Sequence, residues 1–134
     1  MFVQKITFVT LVAAECRIQS KKRIYSLADL KVPIPARAAL RIVRGLAEGI
    51  DYIQRQGVRH YLLEPSVIFL DDGLQPKISG FDTSALIQSG IPDDCWVIAP
   101  EQRNPEKFGN PGKKTDIYQV GAIFYYLLSG QVLN

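Results

Sequence analysis

Histidine, tryptophan and methionine occur once each in these 134 residues, and cysteine only twice. Cys16 and Cys95 lie far apart, with no Cys-x-x-Cys spacing and no histidine beside either. That argues against a zinc site or a disulfide framework and for a reduced, cytoplasmic protein. Neither sign of charge dominates, the formal net being +3. The basic clusters Lys21-Lys22-Arg23 and Lys113-Lys114 have no aromatic residues interleaved. They read as solvated loops, and no nucleic-acid partner is expected. No apolar run approaches the roughly 20 residues that span a bilayer, so no membrane partner is expected either. Ile6 to Ala14, after Lys5, has the length of a short signal-peptide core. Its β-branched content and flanking charge favour a buried strand instead. There is no internal repeat, no low-complexity segment and no G-x-G-x-x-G loop. Gly109-Asn110-Pro111-Gly112-Lys113-Lys114-Thr115 has the wrong glycine spacing for a phosphate-binding P-loop, and no strand precedes it.

What is present suits a globular chain of at most one domain, with 47% hydrophobic and 22% charged residues. Residues 5–16 read as one strand, and Arg23 to Leu27 as a second. A long amphipathic helix is predicted from about Ala36 to Gln56, with Leu40, Val43, Leu46, Ala47, Ile50 and Ile53 as its apolar stripe and Gly57 as its stop. Val67 to Leu70 and Pro76 to Ser79 read as a hairpin around Asp71-Asp72-Gly73. A turn-rich stretch from Gly80 to Gly112 follows. A last helix opens at Thr115 or Asp116, presents Ile117, Val120, Phe124, Leu127 and Leu128, and ends at Gly130.

The order of these elements, and the motifs on them, resemble the C-terminal lobe of a protein kinase from Ser26 to Gly130. His60 to Val67 reads H-Y-L-L-E-P-S-V where that family has His-Arg-Asp-Leu-Lys-Pro-x-Asn. Gly80-Phe81-Asp82 stands where Asp-Phe-Gly is expected. Ala99-Pro100-Glu101 matches the Ala-Pro-Glu that closes the activation segment, and Thr115 to Gly121 resembles the start of the central buried helix. The resemblance implies an α+β fold, mainly α: a kinase-like C-lobe with a small β hairpin and at most one or two N-terminal strands. It makes residues 1–134 one partial kinase-like domain, with 26–134 the C-lobe core and 1–25 a remnant of N-lobe or hinge strands.

Kinase chemistry rests on positioning and electrostatics around a Mg²⁺-bound triphosphate. By the resemblance, Leu62 occupies the place of the catalytic aspartate and Glu64 that of the loop lysine. Val67 stands for the metal-binding asparagine, and Gly80 for the metal-binding aspartate. Leu, Val and Gly side chains offer no oxygen to Mg²⁺, so no catalytic residue, no metal and no cofactor is expected. Asp82 would lie roughly 6–7 Å from the expected acid at strand rise. His60, Phe81, Glu101 and Asp116 are retained as structural residues. The implied function is a non-catalytic, pseudokinase-type interaction or regulatory module. The alternative is a divergent serine/threonine kinase that binds ATP and Mg²⁺ and phosphorylates protein. With the chain stopping at Asn134, the last helix is expected to be partly uncovered and to meet a protein partner or a second copy.

Overall fold

The computed structural model describes residues 24–58, 60, 62–80, 91 and 94–133. The strand predicted over 5–16 and the positions of Phe81 and Asp82 lie outside them. Mainly helical, the fold carries one small three-stranded antiparallel sheet.

Helix α1 spans Ala36–Arg55. It buries Ala39, Ile42, Leu46, Ile50 and Ile53, spaced three and four residues apart as one helical face requires. The predicted stripe shared only the last three of these. Leu40 is 58% exposed, a correction of one residue in the helix's first half, where Ala39 and Ile42 are buried instead, and Ala47 is also at the surface. Both phases have helical spacing there, and the neighbours decide between them. Gly45 lies against Pro76 so closely that a Cβ on it would meet the proline ring at 2.5 Å, which fixes the side of α1 that faces the sheet.

Strands β2 (Ile68–Leu70) and β3 (Pro76–Ile78) form the predicted hairpin, with Phe69 opposite Lys77. Its turn is held by Asp71 Oδ1, which accepts from Gly73 N and Gln75 N, both at 2.9 Å. Asp71 thus has a local role in closing the turn. Strand β1 is only Tyr25–Ser26, shorter than predicted, and pairs with β2 to complete the sheet.

Two one-turn helices follow, α2 (Pro100–Arg103) and α3 (Pro105–Phe108), each opened by a proline that needs no N–H partner. Helix α4 spans Lys113–Ser129 and ends where Gly130 adopts φ 74°, donating its N–H to Tyr126 O at 2.9 Å. Its buried residues are Thr115, Asp116, Gln119, Val120, Ala122, Ile123 and Leu127. Ile117 and Leu128, predicted on the apolar face, are 55% and 42% exposed. The helix is rotated from the predicted phase because three polar side chains, Thr115, Asp116 and Gln119, are turned inward. Helices α1 and α4 pack on each other around Ile42, Leu46, Ile50, Ile123 and Leu127. Gln54 Nε2 donating to Lys113 O at 2.8 Å ties the end of α1 to the start of α4. No helix among the described residues is long and apolar enough to cross a membrane.

Candidate functional site

The loop from His60 to Val67 runs between α1 and the hairpin, and α4 holds it from beneath. Asp116 has no exposed surface, and its Oδ2 accepts from His60 N at 3.0 Å. Three residues on along the same face of α4, Gln119 Oε1 accepts from Leu63 N at 2.8 Å. Gln119 Nε2 donates to Gln102 Oε1 at 2.9 Å, and that oxygen also accepts from Ala99 N at 2.9 Å. One buried chain of hydrogen bonds therefore joins the loop backbone, α4 and the Ala99-Pro100-Glu101 turn. No buried side-chain nitrogen or oxygen among the described residues is left unsatisfied.

The His60 ring is buried, with Nε2 2.6 Å from Ser79 O and Nδ1 accepting from Leu62 N at 3.3 Å. A carbonyl can only accept and an amide N–H can only donate, so the ring is neutral with its proton on Nε2. Burial lowers the imidazole pKa below its ordinary 6.5, against the opposing pull of the Ser79 carbonyl, Asp116 and Glu64. His60 thus bridges the loop to the end of β3 and has no free nitrogen with which to act as a base.

The positions that the resemblance assigns to chemistry gather in the same place. Leu62 is half-buried against the core, and a hydrocarbon there accepts no proton. Glu64 takes a hydrogen bond from Ser66 Oγ at 2.8 Å and lies 4.0 Å from Cys95 Sγ. Burial and that carboxylate push the Cys95 thiol up, while Arg103, whose Nη2 donates to Cys95 O at 2.9 Å, works against them. The carbonyl of Val67 accepts from both Ser79 N at 2.9 Å and Ser79 Oγ at 3.1 Å. Gly80 follows at φ 72°, and a Cβ on it would meet Val67 Cγ1 at 3.1 Å. Neither Val67 nor Gly80 supplies a side-chain oxygen. Glu101, the other retained residue, accepts from Thr115 Oγ1 at 2.8 Å, and Gly112 N donates to that same hydroxyl at 3.0 Å.

Hydropathy patterning does not single out Gln102 or Gln119. The signal was there: Gln119 sits three residues from Asp116 and next to Val120, on a face where a glutamine has to be buried and paired.

The family model for the protein kinase domain matches residues 1–133. A CBL-interacting serine/threonine-protein kinase 5 of Arabidopsis thaliana is 36% identical over 101 residues, covering 69% of this chain and 22% of the relative. The phosphorylase b kinase gamma catalytic chain (liver/testis isoform) of Mus musculus is 26% identical over 121 residues, covering 84% and 30%. An Arabidopsis thaliana protein named "probable inactive leucine-rich repeat receptor-like protein kinase" is 30% identical over 112 residues, covering 69% and 16%. The chain belongs to the protein kinase domain family. It spans less than a third of the length of each of these relatives.

Proposed function

We propose that this chain is a non-catalytic, kinase-like interaction module, a pseudokinase built on the C-terminal part of the kinase fold. The observation that carries the reading is the packing of Val67 on Gly80, which puts a methyl group and a bare backbone at the two positions where the family holds its metals. Leu62 adds a side chain without a lone pair where a proton acceptor is needed, and Glu64 a negative charge where a cation would meet phosphate. These residues do not fit a Mg²⁺–nucleotide pair, since that ion takes near-octahedral oxygen ligands. The scaffold residues are kept meanwhile: His60, Asp116, Glu101 and the Gln119–Gln102 pair hold the loop in shape without any part in chemistry. A relative named as inactive fits the same reading.

Such a module acts by binding protein. Ile117, Tyr118, Tyr125 and Leu128 leave apolar and aromatic surface exposed on α4, the kind of side chains enriched where proteins meet. A half-buried thiol with no described partner cysteine suits a reducing, cytoplasmic setting.

The test is a thermal melt of the chain alone, with ATP, and with ATP plus Mg²⁺, alongside a phosphate-transfer assay on a generic protein substrate. A ligand at about one hundred times its dissociation constant adds about 2.7 kcal/mol. A cooperative melt that nucleotide leaves in place, with no transfer, is the expected result. A Mg²⁺-dependent rise accompanied by transfer overturns the reading and installs the divergent kinase in its place.

A further inference from the structure

Between Leu30 and Ala47 the chain carries Lys31, Arg37, Arg41 and Arg44 and neither Asp nor Glu. The three arginines lie on the exposed side of α1 at spacings of four and three, and Leu40 sits among them. Leu40, at 58%, is the most exposed large apolar side chain among the described residues. Arg44 meets Glu48 at 3.2 Å, a pair largely open to solvent. Neither Arg37 nor Arg41 is ion-paired among the described residues.

Local stability does not account for this face. Arg37 stands in the first helical turn, where the positive end of the helix dipole disfavours a cation. That turn holds no acidic residue, and Pro35 at the N-cap makes no side-chain hydrogen bond. The core contacts of the same stretch are made by Ala39, Ile42 and Leu46 on the other side. Departures from local preference without an evident gain in packing are expected where a surface serves binding.

We propose that this face of α1 docks an acidic amphipathic segment of a partner protein, with an apolar side chain against Leu40 and carboxylates on Arg37, Arg41 and Arg44. Guanidinium groups take carboxylates through paired hydrogen bonds, and charge complementarity sets the register. The leucine at the centre sets the occupant apart from nucleic acid. Phosphate contacts have no use for it, and residues 36–48 include no aromatic ring on which a base could stack. One leucine is also too little apolar surface for a helix lying in a membrane interface. This face is distinct from the exposed side of α4, and the proposal stands whether or not the chain transfers phosphate.

Three fluorescent peptides of equal length, read by anisotropy against the full chain, test it: an amphipathic Glu/Leu helix, its Glu/Ser counterpart and a Lys/Leu helix. A poly(U) oligonucleotide is the fourth probe. The Glu/Leu peptide is expected to bind tightest, to weaken as salt rises, and to lose roughly tenfold in affinity with each of Leu40→Ser and Arg41→Glu. Both variants alter exposed side chains, so their melting temperatures should match the parent's. Absence of saturable Glu/Leu binding, equal binding of the Lys/Leu peptide, or indifference to both variants overturns the proposal. So does tighter binding of poly(U) that Arg41→Glu abolishes and Leu40→Ser does not.

Discussion

Val67 and Gly80 constrain each other: a Cβ added at Gly80 would lie 3.1 Å from Val67 Cγ1 and 3.9 Å from His60 Nε2. The two positions that the sequence resemblance aligns with metal ligands of the kinase family form one packing contact, so a change at either is felt at the other.

Gly80→Asp alone should therefore destabilise the chain by about 1–3 kcal/mol, because it adds both a left-handed non-glycine residue and a crowded Cβ. Val67→Asn, which removes a branch, should reduce that loss when combined with it. A double-mutant cycle by denaturant unfolding is expected to give a favourable coupling of at least about 0.5 kcal/mol. Strict additivity of the two changes would mean that the contact carries no energy.

Asp116 and Gln119 are side chains by which α4 holds the loop backbone. Asp116→Ala strands the buried His60 N–H, and Gln119→Leu strands that of Leu63. Each should cost about 1–3 kcal/mol, the range for an unsatisfied buried donor. Asp116→Asn, which keeps an acceptor oxygen, should cost less than Asp116→Ala. Equilibrium urea unfolding ranks the three, and equal losses for the asparagine and alanine variants would refute the assignment.

His60 is the chain's one histidine, which makes its titration easy to follow. Its folded pKa is lowered from 6.5, chiefly by burial. The unfolded chain therefore binds the proton more readily than the folded one. The His60 contribution is fully present above about pH 6.5 and is lost as pH falls below that value towards the folded pKa. An NMR titration of the single imidazole should show a midpoint below 6.5, and a midpoint at or above it would contradict the buried neutral ring. His60→Asn should flatten the dependence of melting temperature on pH in the same window.

Two glycines inside helices should respond in opposite directions to alanine. Helix propensity alone favours alanine by about 1 kcal/mol at either position. At Gly45 the new Cβ would meet Pro76 Cδ at 2.5 Å and Cγ at 2.6 Å, whereas at Gly121 nothing lies within 4 Å. Overpacking costs about 1–3 kcal/mol, enough to outweigh the gain. Gly45→Ala should lower the melting temperature and Gly121→Ala should raise it.

Much of the fold was legible in the residues. The extent of α1 followed from its period and from Gly57, the hairpin from Asp71-Asp72-Gly73, and the end of α4 from Gly130. The failures concern phase. Hydropathy spacing points Leu40, Ile117 and Leu128 inward, yet all three are exposed, while Ala39, Ile42 and Gln119 are buried. A residue-by-residue hydropathy reading cannot rank a glutamine above an isoleucine for burial. It has no knowledge that Leu63 N and Gln102 wait at the other end of the side chain. Of the candidate site, positions Leu62, Glu64, Val67 and Gly80 are visible in the sequence as departures from the residue types of the family motif that the loop resembles. Their contacts were not visible.

By itself the sequence determined local matters: where helices start and stop, which turn closes the hairpin, and which side chains carry oxygen or charge. These depend on backbone preferences and on functional groups a residue owns wherever it sits. Only the tertiary structure decided which face of α1 and α4 is covered, that Gln119 and Gln102 continue the hold of Asp116 on the loop, and that Val67 fills the space beside Gly80. Each of these depends on distances between residues remote in sequence: 13 positions for Val67 and Gly80, 56 for His60 and Asp116, 59 for Gln54 and Lys113. Burial and hydrogen bonding are settled by what arrives from elsewhere in the chain, and no local pattern encodes that arrival.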